Sequence, residues 1–199
     1  GILGIILEDE ELIYKAVNEK YGLLYQLDNG VLNDGLWFEG SLSYHQYALS
    51  AFMAYEIFAR HTKYSNLNNE KYPQMIKKQM DFINEDGTIP SLNDHCGVRQ
   101  TVAPSLVLEF GYEWYKDNDM LTLLNAAYKH FKNRTLEAYF LGSSERKAAS
   151  EIKPKMYHNE TGSGITIFRG NNGKRLVLKH SPFGGEHDHY DRLSVEYSA

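Results

Sequence analysis

Two short stretches concentrate the side chains that could do chemistry. Toward the end of the chain, Gly184-Gly185-Glu186-His187-Asp188-His189-Tyr190-Asp191 sets two histidines and two aspartates behind a double glycine. Imidazoles and carboxylates at this density suit a metal site, half of a proton-transfer site, or a polar turn entering a strand, and residue type alone leaves all three open. Much earlier, Glu39-Gly40-Ser41 precedes a segment whose opening turn carries Tyr44, His45 and Tyr47. A phenol on the first turn of a helix lies beside unpaired backbone N–H groups, whose partial positive charge favours negative charge on its oxygen. Tyr44 could therefore remove a proton or return one.

The elements that must position these groups change character along the chain. Apolar residues recur at helical spacing in Leu7 to Asn18 through Leu12, Ile13, Ala16 and Val17. They do so most clearly in Ser41 to Thr62, through Leu42, Leu49, Phe52, Met53, Ile57 and Phe58, with Ser41 as N-cap. Further helices are expected at Tyr72 to Asn84, Val102 to Lys116, Met120 to Asn133 and Leu136 to Leu141. Asp28-Asn29-Gly30, Asn33-Asp34-Gly35, Asp86-Gly87 and Asp117-Asn118-Asp119 read as connectors. The result is an array of α-hairpins over residues 1–150. Beyond it the period becomes two: Ser163 to Arg169 and Lys174 to His180 form a hairpin around Gly170-Asn171-Asn172-Gly173, and Arg192 to Ser198 forms a third strand. Three strands would leave unpaired edges, so the sequence is expected to be part of a longer protein, with residues 151–199 an incomplete second domain.

Composition excludes several classes. With 42% hydrophobic residues, 199 residues can enclose one sizeable core. The start, Gly1 to Ile13, turns acidic too early for a signal peptide, and no apolar run approaches the ~20 residues of a membrane span. The net charge of −5 and the scattered cations exclude a basic nucleic-acid-binding stripe. One cysteine, Cys96, excludes an internal disulfide and leaves the compartment open. The 15 tyrosines offer flat faces with polar tips, which suit sugar stacking as well as ordinary packing.

The early Asp-Gly-x-x-x-Glu-Gly-Ser-x-x-Tyr-His block paired with the late Gly-Gly-x-His-x-His-Tyr-Asp-x-Leu-Ser block resembles the heparinase II/III-like polysaccharide lyases, including oligoalginate lyases. The resemblance implies a mainly α chain: a partial (α/α) toroid of helical hairpins followed by the first antiparallel strands of a β-sandwich. It implies a lyase that cleaves uronate-containing glycans by β-elimination, an acidic polysaccharide or oligosaccharide as partner, and neither nucleic acid nor membrane. In such chemistry a proton leaves C5 beside the sugar carboxylate and the C4 oxygen departs, so the carboxylate must be neutralised as charge develops.

By this resemblance Tyr44 corresponds to the acid and possible base, and His187 to the histidine facing the substrate. His189 corresponds to a ligand of a structural zinc whose other ligands would lie past Ala199. No cofactor is needed for the chemistry. The family's carboxylate-binding Asn or His belongs to a helix earlier than any here, so this stretch alone is expected to be inert. Periplasmic and cytoplasmic locations in a bacterium both remain open.

Around this pair the expectations divide. Glu39 binds sugar hydroxyls or the backbone at the helix start. His45 sits on the helix surface, or else lines the cleft; Tyr47 packs, or else contacts sugar. Asn93, Asp94 and His95 form a loop near the cleft or a plain turn, and Arg99 and Arg169 are carboxylate binders by charge. Asp191 orients a histidine or caps the strand entrance. Two other classes fit the same sequence: a non-catalytic toroid module that binds acidic carbohydrate, and a helical array for protein contacts.

Overall fold

The computed structural model describes residues 1–95, 100–102, 105–130, 135–142, 151–181, 187 and 193–198. The helices are α1 (Ile2–Leu7), α2 (Glu10–Val17), α3 (Leu23–Gly30), α4 (Leu42–Ala59), α5 (Lys71–Phe82), α6 (Ser105–Tyr115), α7 (Asn118–His130) and α8 (Leu136–Phe140). Between α5 and α6 the short strands β1 (Thr88–Ile89) and β2 (Gln100–Thr101) pair antiparallel.

Local chemistry explains the helix starts. Ser41 caps α4 as expected, its hydroxyl accepting the Tyr44 N–H at 3.3 Å. The helix expected from Leu7 to Asn18 is α2, beginning at Glu10, and a separate helix, α1, precedes it. Glu8 turns left-handed at φ 55°, and the Asp9 side chain then caps α2 by accepting the N–H groups of Glu11 and Leu12. Asp28-Asn29-Gly30, expected as a connector, is the last turn of α3. Glycine is required there because a Cβ on Gly30 would overlap the Trp37 ring.

Four strands follow: β3 (Tyr157–Glu160), β4 (Ile165–Arg169), β5 (Arg175–Lys179) and β6 (Ser194–Ser198), an antiparallel meander in chain order. Three were legible and β3 was not, because its inward residues are His158 and Glu160 and it carries no apolar alternation. On the inner face Ile165, Ile167 and Val177 join the core built from the helices by Leu49, Met53, Met75, Ile76 and Phe82. On the outer face Tyr157, Phe168, Leu176 and Tyr197 stand in register across all four strands.

Side chains tie the meander to the helices. Asp34 accepts the Ser163 N–H at 2.7 Å. The guanidinium of Arg169 donates to the carbonyls of Asp81 and Ile83 at the end of α5, and to that of Lys155. This satisfies orphan carbonyls of a helix terminus, so Arg169 is a structural tie and not the carboxylate binder its charge suggested. Burial and the neighbouring Arg175 lower its pKa to about 10. Buried charge also converges where Lys78, 4% exposed in its side chain, pairs with Glu160 and with Asp81 at 3.5 Å. Among the described residues no helix is long and apolar enough to cross a membrane.

Candidate active site

The start of α4 sets the first half of the site. The Ser41 hydroxyl that receives the Tyr44 N–H also donates to the Asp94 carbonyl at 2.5 Å, so one residue caps the helix and anchors a loop 53 positions away. Gly40 reaches φ 69°, where a side chain would be strained, and its carbonyl accepts the Asn93 side-chain N–H at 3.0 Å. The Asn93 side-chain oxygen Oδ1 in turn accepts from the Lys179 ammonium of β5 at 2.9 Å. The Asp94 N–H donates to the His187 carbonyl at 3.3 Å. Asn93 and Asp94, expected as a loop near the cleft or a plain turn, are thus the clamp between the start of α4 and the segment between β5 and β6.

This clamp brings the two principal candidates together. The rings of Tyr44 and His187 stack with centroids 3.4 Å apart and planes inclined by 16°. Tyr47, expected to pack, is 74% exposed and lies edge-on to Tyr44 at 6.3 Å between centroids. It extends the aromatic surface outward.

Glu39 binds neither backbone nor open solvent. One carboxylate oxygen accepts the Trp37 indole N–H at 3.0 Å, and the other lies 3.0 Å from His187 Nδ1. A carboxylate can only accept, so Nδ1 carries the proton.

His45 corrects the sequence expectation most sharply. It is fully buried, with Nδ1 3.1 Å from the Trp37 backbone N–H and Nε2 3.0 Å from the Met75 carbonyl. The first contact is a donor and the second an acceptor, so the ring is neutral with its proton on Nε2. Burial lowers its pKa to about 4. With both nitrogens engaged inside the core, His45 supports the Trp37–Glu39 loop and cannot meet a ligand. Trp37 was missed as a site residue, and its position two residues before Glu39 was the available signal.

Arg99, His189 and Asp191 lie outside the described residues. Among the described residues one group of ligand-type side chains converges, Asp81, His158 and Glu160. The ammonium groups of Lys78 and Lys155 already occupy its carboxylates, so it reads as a charge network and offers no fit for zinc. A groove of about 1220 Å³ opens elsewhere, between the loop around Asp86 and the β4–β5 turn. Its two arginines are committed, Arg169 to backbone carbonyls and Arg175 to Glu196.

Helical hairpins leading into an antiparallel meander, with a helix-start tyrosine stacked on a histidine from beyond β5, define a mainly α chain combining a partial (α/α) toroid with the first strands of a sandwich. Solved structures share this fold. A heparinase III gene product matches with a TM-score of 0.53 and 21% identity, over 88% of this chain and 25% of that one. The heparan sulfate lyase HepC from Pedobacter heparinus matches with a TM-score of 0.52 and 20% identity, over 88% and 25%. In sequence the chain is 26% identical over 212 aligned positions to an alginate lyase of Stenotrophomonas maltophilia strain K279a, covering 98% of this chain and 28% of that protein. No protein-family profile matches it. The chain is thus similar to an alginate lyase in sequence and to heparinase III and heparan sulfate lyase structures in fold, and it spans about a quarter of the length of the relatives it matches.

Proposed function

We propose that the protein containing this chain is a polysaccharide lyase that cleaves uronate-containing glycans by β-elimination, with Tyr44 and His187 at the reacting sugar. The observation that carries this reading is the stacking of Tyr44 on His187, which joins the two motifs in one place. In the reaction the C5–H electron pair forms the C4–C5 double bond as the C4–O bond breaks. The C5 proton goes to a base and the departing oxygen takes a proton, so no water is consumed. In this reading Tyr44, on the first turn of α4, takes the C5 proton as phenolate and then, as phenol, gives it to the leaving oxygen. His187 meets the same sugar from the opposite element.

Tyr47 extends the aromatic face that a pyranose ring would cover. The names of the relatives, an alginate lyase and a heparan sulfate lyase, support an acidic polysaccharide as substrate. No step is routed through a metal. His189 would contribute one ligand to a structural zinc, and a structural site needs about four.

The reading is tested by incubating the product of the complete reading frame with alginate and with heparan sulfate and following near-ultraviolet absorbance of the unsaturated product. Product formation supports a lyase. Calorimetric binding of uronate oligosaccharides with no unsaturated product would favour a carbohydrate-binding module instead.

A further inference from the structure

The contacts around Glu39 form a continuous chain from core to cleft, in which Trp37 donates in both directions and Glu39 accepts from both sides. The Met75 carbonyl accepts from His45 Nε2, and His45 Nδ1 accepts the Trp37 backbone N–H. The Trp37 indole N–H donates to one Glu39 oxygen, and the other Glu39 oxygen accepts from His187 Nδ1. Every donor and acceptor along this chain is fixed by its neighbour, beginning with a backbone carbonyl and a backbone N–H that have no alternative roles. The Trp37 ring is held against the space left by Gly30 and is 8% exposed, so the indole donor is rigid. Glu39 is 18% exposed in its side chain, and both of its oxygens are used.

We propose that Glu39 is the positioning residue of the site: held by the Trp37 indole, it keeps the His187 proton on Nδ1 and leaves Nε2 as an acceptor facing the sugar. This rests on the lyase reading above and gives His187 a definite role in it. Among the described residues His187 Nε2 has no partner, while one ring face is covered by Tyr44. An imidazole so placed accepts a sugar hydroxyl at Nε2, with its tautomer and orientation fixed by the carboxylate behind it. Sequence spacing conceals the arrangement, since Glu39 and His187 are 148 residues apart.

Glu39→Gln separates this role from a structural one. The amide is nearly isosteric but has one acceptor, so it cannot receive both the indole N–H and the imidazole N–H. With its oxygen on Trp37, its NH₂ faces Nδ1 and drives the His187 proton to Nε2. The test uses the product of the complete reading frame labelled with ¹⁵N-histidine, with His187 assigned by its loss in His187→Gln, and steady-state rates on the glycan that wild type cleaves.

The expected result is an Nδ1-protonated His187 in wild type and an Nε2-protonated one in Glu39→Gln. The accompanying fall in kcat is at least about 100-fold with KM changed by less than about twofold, since reversing the tautomer of an oriented imidazole can cost up to about 10⁴-fold. Trp37→Phe keeps the carboxylate and removes only its donor, so it retains the Nδ1 tautomer and loses about fivefold in kcat. The same tautomer in wild type and Glu39→Gln, or a Glu39→Gln enzyme with wild-type kcat, overturns the proposal. A wild type that makes no unsaturated product, while Glu39→Gln still moves the His187 proton, overturns the lyase reading and leaves the Glu39–His187 coupling standing.

Discussion

Tyr44 and His187 lie face to face, 3.4 Å between ring centroids, although one sits on the first turn of α4 and the other beyond β5. Two rings this close exclude water from between them. The contact survives only if the Ser41–Asp94–His187 clamp holds, because the Asp94 carbonyl and N–H tie the two elements together.

His187→Ala removes the ring that stacks on Tyr44 and that, in the proposed mechanism, accepts at the sugar. Activity is expected to fall by about 10²–10⁴-fold, the usual contribution of a group moving protons in the transition state. Its side chain is 31% exposed, so the melting temperature should change little. Initial rates and a thermal melt on the same preparation check both parts.

His45→Leu strands the Trp37 N–H and the Met75 carbonyl inside the core. Each unsatisfied buried group costs about 1–3 kcal/mol, so urea denaturation should show a loss of roughly 2–6 kcal/mol. Wild type should also show a pH dependence that His45→Leu lacks. The folded-state pKa is about 4 against an ordinary 6.5, so between these values the unfolded chain binds the additional proton. Stability is therefore full above about pH 6.5, falls as pH drops through the window, and levels below about pH 4, a total of roughly 3 kcal/mol.

Lys78 tests the charge network that replaces apolar packing under β3. Lys78→Met leaves Glu160 and Asp81 buried against each other, with a cost of about 3–5 kcal/mol expected for breaking a buried pair from one side. The double change Lys78→Met with Glu160→Leu should recover at least half of that loss in the same denaturation measurement. A double variant no more stable than the single would show that the pair is not the unit of stability.

The helices were legible where apolar residues repeat and a capping side chain marks the start, as at Ser41 and Leu42. α1 was not, and α2 starts later than Leu7 because the Asp9 side chain caps it there. β3 was hidden for an opposite reason: its buried positions are filled by His158 and Glu160, whose partners Lys78 and Asp81 come from α5. At the site, Tyr44 and His187 were named through the resemblance of two motifs, whereas the clamp through Asn93 and Asp94 needed the folded chain. Neither Glu39 nor His45 could be understood locally. Their partners, His187 and the Met75 carbonyl, are 148 and 30 residues away.

The central claim is that Tyr44 moves a proton at the sugar. Tyr44→Phe keeps the ring and its stacking on His187 and removes only the hydroxyl. Near-ultraviolet absorbance from alginate or heparan sulfate, whichever wild type cleaves, is expected to appear at least about 10²-fold more slowly, with the melting temperature unchanged. Wild-type rates of unsaturated product from Tyr44→Phe would contradict the account.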